Sequence, residues 1–302
     1  MGENPIITGL GWDFGIFWNV GRAVLAGQDP YVVFGSFYPP AATILFAIFA
    51  FLPFGVAYGL WTIANVAFLA RIVGLRKAPV WLFYFPALFV IAAGQVDLAL
   101  VALATFLPRK DWKSVAAAIL ITLKPQVAFL LLPFWLVTWL LHDRKRLAAF
   151  GLGALLLQGW PALFDPAIFA RWLDKAAEYG GGAGRAMASP GVWSLPIPDL
   201  ALAVVSAALV GFAIYASLRR DEAVSRASLV LATPTGHSYD GSVLIGAAPA
   251  ALMVPLSWAT LALAHAVGSF WPLSLTTLAV FVWNATRQTA SVRSAVPVAV
   301  SG

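Results

Sequence analysis

Residues 39–52 read PPAATILFAIFAFL. The stretch is apolar from end to end, yet its 14 residues fall short of the roughly 20 that an α-helix needs to cross a bilayer. Whether it crosses sets the orientation of every segment after it. The next run, Val56–Val73, is long enough to span, and Arg71, Arg76 and Lys77 lie at its end. Cytoplasmic loops of membrane proteins carry the excess of Lys and Arg. If residues 39–52 stay in the membrane surface, Arg71–Lys77 shares a side with Arg109–Lys113, Asp143–Arg146, Arg219–Arg226 and Arg287–Arg293. Those segments together hold 14 of the 19 Lys and Arg and only 4 of the 13 acids. If residues 39–52 cross, the first basic loop falls outside. The charge pattern therefore predicts a surface or re-entrant segment here.

Composition points the same way. The chain has 302 residues, 61% hydrophobic and 11% charged, with mean hydropathy +0.85. A soluble domain is about 25% charged. The expected class is an all-α polytopic membrane protein. There is no cysteine, so disulfides and Cys-based metal or redox sites are excluded. His142, His237 and His265 are far apart and form no H-E-x-x-H. No D-x-D, P-loop or G-x-G-x-x-G is present, which weighs against cytosolic nucleotide chemistry and leaves no cofactor implied. The basic excess marks loops, not a nucleic-acid surface.

Upstream, Trp12–Pro40 reads WDFGIFWNVGRAVLAGQDPYVVFGSFYPP and is too polar to span. An amphipathic helix is expected near Asp13, closed by Gly27, with a turn at Gln28–Tyr31. No hydrophobic signal sequence precedes Trp12. Downstream, short apolar runs come in pairs. Val80–Ala93 and Leu98–Leu107 are parted by Gly94-Gln95-Val96-Asp97, and Val115–Leu123 and Val127–Leu141 by Lys124-Pro125. Leu147–Trp160 and Leu200–Leu218 are expected to cross. Between them, Asp165-Pro166 reads as a helix start, followed by an amphipathic helix to Tyr179 and the GGGAG stretch. Val243–Trp258, a weaker Ala259–Phe270 and Leu273–Trp283 finish the chain. Four regions follow: 1–55 as an external juxtamembrane segment, 56–160 as transmembrane helices with short external turns, 161–198 as an external loop, and 199–302 as C-terminal transmembrane helices.

This topology gathers the unusual polar residues on the external face. Each has a bland reading beside a functional one. Asp13 is a helix N-cap or, among Trp12, Phe14 and Trp18, a base whose proton affinity is raised by partial desolvation. Asp29 reads best as an Asp-Pro turn. Lys124 snorkels to the surface or faces an anionic partner such as a phosphate diester. Gln95 and Asp97 form a helix–helix turn, with Asp97 able to pair with Lys124. His237, Tyr239 and Asp240 either cap the next helix or hydrogen-bond a phosphate. Arg171, Lys175 and Arg185 meet an anionic acceptor lipid or lie on a solvated face.

WDFGIFWNVGRAVLAGQDPY, then FYPP, GQVD, LKPQ and PTGHSYD, in this order, resembles glycosyltransferase family 87, polyprenol-phosphate-mannose-dependent mannosyltransferases of the GT-C type. The resemblance implies an inverting transfer of a sugar, with mannose first and arabinose open. It would run from a polyprenyl-phosphate donor to an external lipid or glycan acceptor at a prokaryotic plasma membrane. The family's loop Asp, a general base, maps onto Asp13, and its late histidine onto His237. Lys124 and His237 are the candidate phosphate-binding residues, with Tyr38, Gln95, Tyr239 and Asp240 in support. Family members carry a full transmembrane helix before the loop Asp. Only 12 residues precede Asp13 here, which points to a late start, a fragment or a diverged form. The rival expectations are a transporter or lipid flippase, with inverted repeats, broken helices at the midplane and polar exposure on both faces, and an inactive membrane scaffold.

Overall fold

The computed structural model describes residues 10–178, 191–233 and 237–294, with side chains to residue 287. The GGGAG stretch, Arg185 and the side chain of Arg293 lie outside the described residues. Among the described residues the chain is helical, with no strand. The helices are α1 (Trp12–Leu25), α2 (Pro40–Leu45), α3 (Ala47–Ala50), α4 (Phe54–Val73), α5 (Ala78–Trp81), α6 (Phe85–Ala93), α7 (Asp97–Ala104) and α8 (Trp112–Ile121). They continue with α9 (Pro125–Leu131), α10 (Pro133–His142), α11 (Arg144–Gly159), α12 (Ile168–Glu178), α13 (Asp199–Leu218), α14 (Glu222–Ala232), α15 (Ala250–Val267) and α16 (Ser274–Ser294).

Proline explains why so many are short. Pro40, Pro79, Pro86, Pro125 and Pro133 each stand at the first or second position of a helix. The missing N–H is harmless there, but the ring blocks continuation from the preceding turn. Val80–Ala93 is accordingly split into α5 and α6. Val127–Leu141 becomes α9 and α10, bent by 54°. The expected C-terminal segmentation needs correction. Val243 belongs to a 3-10 helix, Ser238–Leu244, and α15 (Ala250–Val267) runs unbroken across the expected Trp258–Ala259 boundary. The weaker hydropathy around His265 contains no backbone breaker, so the helix continues to Gly268, which caps it at φ 63.

Among the described residues three helices are long and apolar enough to cross a bilayer: α4 and α13 with 20 residues each and α15 with 18. Leu60 and Ile63 on α4, and Leu200 and Val204 on α13, are exposed. Such faces are unfavourable in water and suited to lipid. The bent pairs α9–α10 and α11–α12 (108°) qualify only when joined. The protein is an all-α polytopic membrane protein. Residues 40–50, the α2–α3 piece, would rise only about 16 Å, against a hydrocarbon core of about 30 Å.

α1, α2, α3 and the start of α4 form an aromatic layer. Phe17 stacks on Phe46 at 4.4 Å, and Phe14 tilts against Phe49 at 5.2 Å. α1 and α3 approach closely because residue 21 is glycine: a Cβ there would lie 2.3 Å from the Phe46 carbonyl oxygen. The larger core lies among α6–α10, α14 and the 3-10 helix Ser238–Leu244.

Several elements share one polarity. α4 is tied near its start, through Tyr58 and Trp61, to the carbonyls of Ala92 and Gly94, and ends at Arg71, which lies over Phe106. α7 begins at Asp97 and leads to Arg109. α9 follows Lys124, and α10 leads to Arg144–Arg146. Arg146 donates to the Arg109 carbonyl at 3.3 Å, and Arg220 meets His142 at 3.4 Å. The basic loops thus collect at one end of the helices, and Gln95, Asp97 and Lys124 at the other.

Gly94 is the joint on which that second end turns. Its φ is 75°, and a Cβ would sit 2.6 Å from the Phe14 Cβ. Gly94→Ala is expected to cost about 1–3 kcal/mol from the left-handed conformation, and more from the clash. A lowered apparent melting temperature in detergent checks this, with Gly55→Ala as control, since a Cβ at Gly55 meets nothing within 4 Å.

Candidate functional site

The start of α1 is fastened to the end of α6. The Gly11 N–H donates to the Ala92 carbonyl at 2.7 Å, and the Tyr58 hydroxyl donates to the same oxygen at 2.8 Å. The Trp61 indole donates to the Gly94 carbonyl at 3.0 Å. These bonds bring Asp13, in the first turn of α1, close to Gln95. Lys124 is extended, at φ −125 and ψ 95, as a residue before proline prefers.

Lys124 is the hub of the cluster. Its ammonium lies 2.7 Å from Asp97 Oδ2, 3.5 Å from Gln95 Oε1 and 3.7 Å from Asp240 Oδ1. It also stands over the Tyr239 ring, 4.7 Å from the centroid. Lys124 is 4% exposed, Asp97 0% and Asp240 1%, so the charges hold one another away from water. Gln95 links the rest: its Oε1 accepts from the Tyr38 hydroxyl at 2.9 Å, and its Nε2 donates to the Tyr239 hydroxyl at 3.2 Å. All seven sequence candidates (Asp13, Tyr38, Gln95, Lys124, His237, Tyr239, Asp240) fall in this constellation. Asp97, which the sequence favours as a structural turn residue, is the closest partner of Lys124.

Asp13 is not the N-cap. Gly11 holds that position at φ 77 without a side-chain cap bond. Asp13 is half-buried, and desolvation raises its carboxyl to about 6; the Gln95 hydrogen bond and the Lys124 charge pull it down, while Asp97 pushes it up. At neutral pH it is mostly ionised yet more basic than an ordinary carboxylate.

His237 stacks on Tyr239 at 4.6 Å between ring centroids. Its backbone is locked to Asp240: the Asp240 carboxylate accepts from the His237 N–H at 2.7 Å, and the Asp240 N–H donates to the His237 carbonyl at 2.9 Å. Burial first, and the Lys124 charge second, lower its pKa to about 4. The ring is therefore neutral, with one nitrogen carrying a proton. His237 offers an N–H rather than a charge. Desolvation keeps the Tyr38 phenol protonated as well.

A second network borders the cluster. Asp29 Oδ1 accepts from the Tyr31 N–H at 3.0 Å, the expected turn, while its Oδ2 pairs with Arg171 at 2.9 Å. Arg171 also pairs with Asp165. Lys175 pairs with Glu178 at 2.8 Å. Arg171, one-third exposed on the amphipathic α12, is engaged by the two carboxylates of Asp29 and Asp165. Its sequence trace is the acidic Asp165, three residues before the start of the helix it lies on. The Trp172 indole donates to the Phe37 carbonyl at 3.1 Å, and the Tyr31 hydroxyl to the Tyr38 carbonyl at 3.0 Å. α12 is thereby anchored beside Tyr38, a contact that periodicity cannot reveal.

The arrangement offers a basic carboxylate, a buried cation and neutral N–H and O–H donors at one end of a bundle of apolar helices. Comparison with curated proteins and with solved structures gave no match. A family model described as glycosyltransferase family 87 matches residues 37–235. The match takes in Tyr38, Gln95, Asp97 and Lys124; Asp13 precedes it, and His237, Tyr239 and Asp240 follow it closely. With well over half of its length matched, the chain belongs to glycosyltransferase family 87, and it is a membrane glycosyltransferase.

Proposed function

We propose that the protein transfers a hexose, mannose first among candidates, from a polyprenyl-phosphate carrier to a lipid or glycan acceptor at the external face of the plasma membrane. Asp13 carries the reading. It is a half-buried carboxylate with pKa about 6, in the electrostatic reach of Lys124. The acceptor oxygen attacks the anomeric carbon, and Asp13 takes its proton. The bond from that carbon to the phosphate oxygen breaks, and the electron pair leaves with polyprenyl phosphate. Attack opposite the leaving group inverts the centre. Polyprenyl phosphate departs as an anion at neutral pH, so one carboxylate base suffices.

Lys124 and His237 serve the phosphate in different ways. Lys124 is already engaged by Asp97, so it supplies a fixed positive potential. His237 supplies a neutral N–H. Tyr38 and Tyr239 hold the Gln95 amide, which in turn orients Asp13. An apolar cavity of about 280 Å³ lies beside the cluster, lined by Pro39, Pro125, Ala128, Phe169 and Trp172 among others. It suits a prenyl chain. The external placement rests on the basic loops, which gather at the opposite end.

Native mass spectrometry with polyprenyl-phosphate-mannose, bare polyprenyl phosphate and a nucleotide-mannose tests the donor class. Retention of both polyprenyl ligands and not the nucleotide is expected; the reverse overturns the reading. The pH profile tests the base. Protonated Asp13 cannot accept a proton, so transfer should be slow below about 6, rise through that value and level off above it. A rate that falls as pH rises from 5 to 7 would count against Asp13 as base.

A further inference from the structure

We propose a second binding site, for the phosphate headgroup of an anionic phospholipid, at the end of the molecule opposite the catalytic cluster. A cavity of about 670 Å³ opens there, where the end of α4, α5, the start of α15 and the late part of α16 meet. Arg76, Lys77 and Arg287 line it, together with Trp81, Trp283 and Asn284, and among the described residues no Asp or Glu does. Among the described residues neither Arg76 nor Lys77 has an ion-pair partner, and both are exposed. Arg287 lies over the Trp283 ring at 4.2 Å, which fixes its direction without neutralising it. Three cations around one concavity repel each other unless an anion joins them.

The backbone adds to the attraction. α15 begins at this cavity, with Pro249 as its N-cap and Ala250 in the lining. The positive end of its dipole therefore lies at the same space. The occupant is a lipid rather than a soluble anion because the rim is apolar. Leu75 is 82% exposed and Val80, in the lining, 51%, so hydrocarbon belongs next to the charges. Basic pockets between transmembrane helices at a membrane boundary bind anionic headgroups in this way.

The site is separate from the catalytic cluster. From Tyr58 to Ile72 the axis of α4 advances about 21 Å. The 3-10 helix Ser238–Leu244 joins the two ends, running from Asp240 in the cluster toward Gly246 in the cavity lining. The inference does not depend on the donor or on Asp13.

The test uses the full chain in detergent, titrated with phosphatidylglycerol, phosphatidylcholine or inorganic phosphate and read by native mass spectrometry. Phosphatidylglycerol should be retained preferentially over phosphatidylcholine, and millimolar inorganic phosphate should not displace it. The triple variant Arg76→Gln/Lys77→Gln/Arg287→Gln should lose about tenfold or more of that retention. Arg109→Gln/Lys110→Gln/Lys113→Gln removes as many charges from another loop and should change it less than twofold. The single variant Arg287→Gln, at an exposed position, should give a partial loss even if the triple variant folds poorly. Equal loss in the two triple variants, equal retention of the two lipids, or displacement by inorganic phosphate would each overturn the assignment.

Discussion

Asp13→Asn should lower transfer by about 10²–10⁴-fold while the protein still folds and still retains its donor. The substitution keeps the shape of the side chain and its hydrogen bonding to Gln95, but an amide cannot accept the acceptor's proton. Asp13 stands in the first turn of α1 and caps nothing, so no structural bond is lost with it. Removing a carboxylate that burial has made less comfortable as an anion should not lower stability at neutral pH. The measurement is turnover with polyprenyl-phosphate-mannose, set beside donor retention and melting temperature for the same preparation. Full activity in the variant would exclude Asp13 as base. Loss of donor retention along with activity would make it a binding residue.

Lys124→Ala should have the largest effect on stability, about 3–5 kcal/mol. The ammonium is the cation for two carboxylates, Asp97 and Asp240, exposed 0% and 1%. Each also has an Oδ1 with no hydrogen-bond partner among the described residues. Removing the cation leaves them buried and uncompensated, and at least one must take up a proton or open the cluster to water. Lys124→Ala/Asp97→Ala should be less destabilised than the sum of its single variants, because the second change removes the orphaned charge. Denaturant or thermal unfolding in detergent reads both. If Lys124→Ala is as stable as the parent, the ion cluster does not hold this end of the molecule together. An Asp97→Asn variant that keeps its stability but loses donor retention would show that Lys124 acts on the donor only when Asp97 orients it.

The sequence by itself determined the class and the breaks at Gly94 and Pro125. Runs such as Val56–Val73 and Leu200–Leu218 have no reason to be so long and apolar outside lipid, and α4 and α13 coincide with them to within two residues. Proline and glycine act locally through φ and a missing N–H, so the breaks at Gly94 and Pro125 were legible from neighbouring residues alone. The Pro133 break inside an apolar run was not read, because hydropathy outweighed the backbone signal there. The same bias divided α15 in two.

Tertiary structure alone decided what the polar residues do. Asp13, Gln95, Lys124 and His237 come from four turns far apart in sequence, and only the packing of α1 on α6 and the ion pairs across α7 and α9 bring them together. Whether a carboxylate caps a helix, pairs with a lysine or stays basic depends on desolvation and on charges a few ångströms away. That is why the sequence offers Asp97 both as a turn residue and as a partner for Lys124 without deciding between them, and gives Arg171 no carboxylates. Periodicity reports which face of a helix is apolar. It cannot report which neighbour that face will meet, and the energies of buried charges are set by that neighbour.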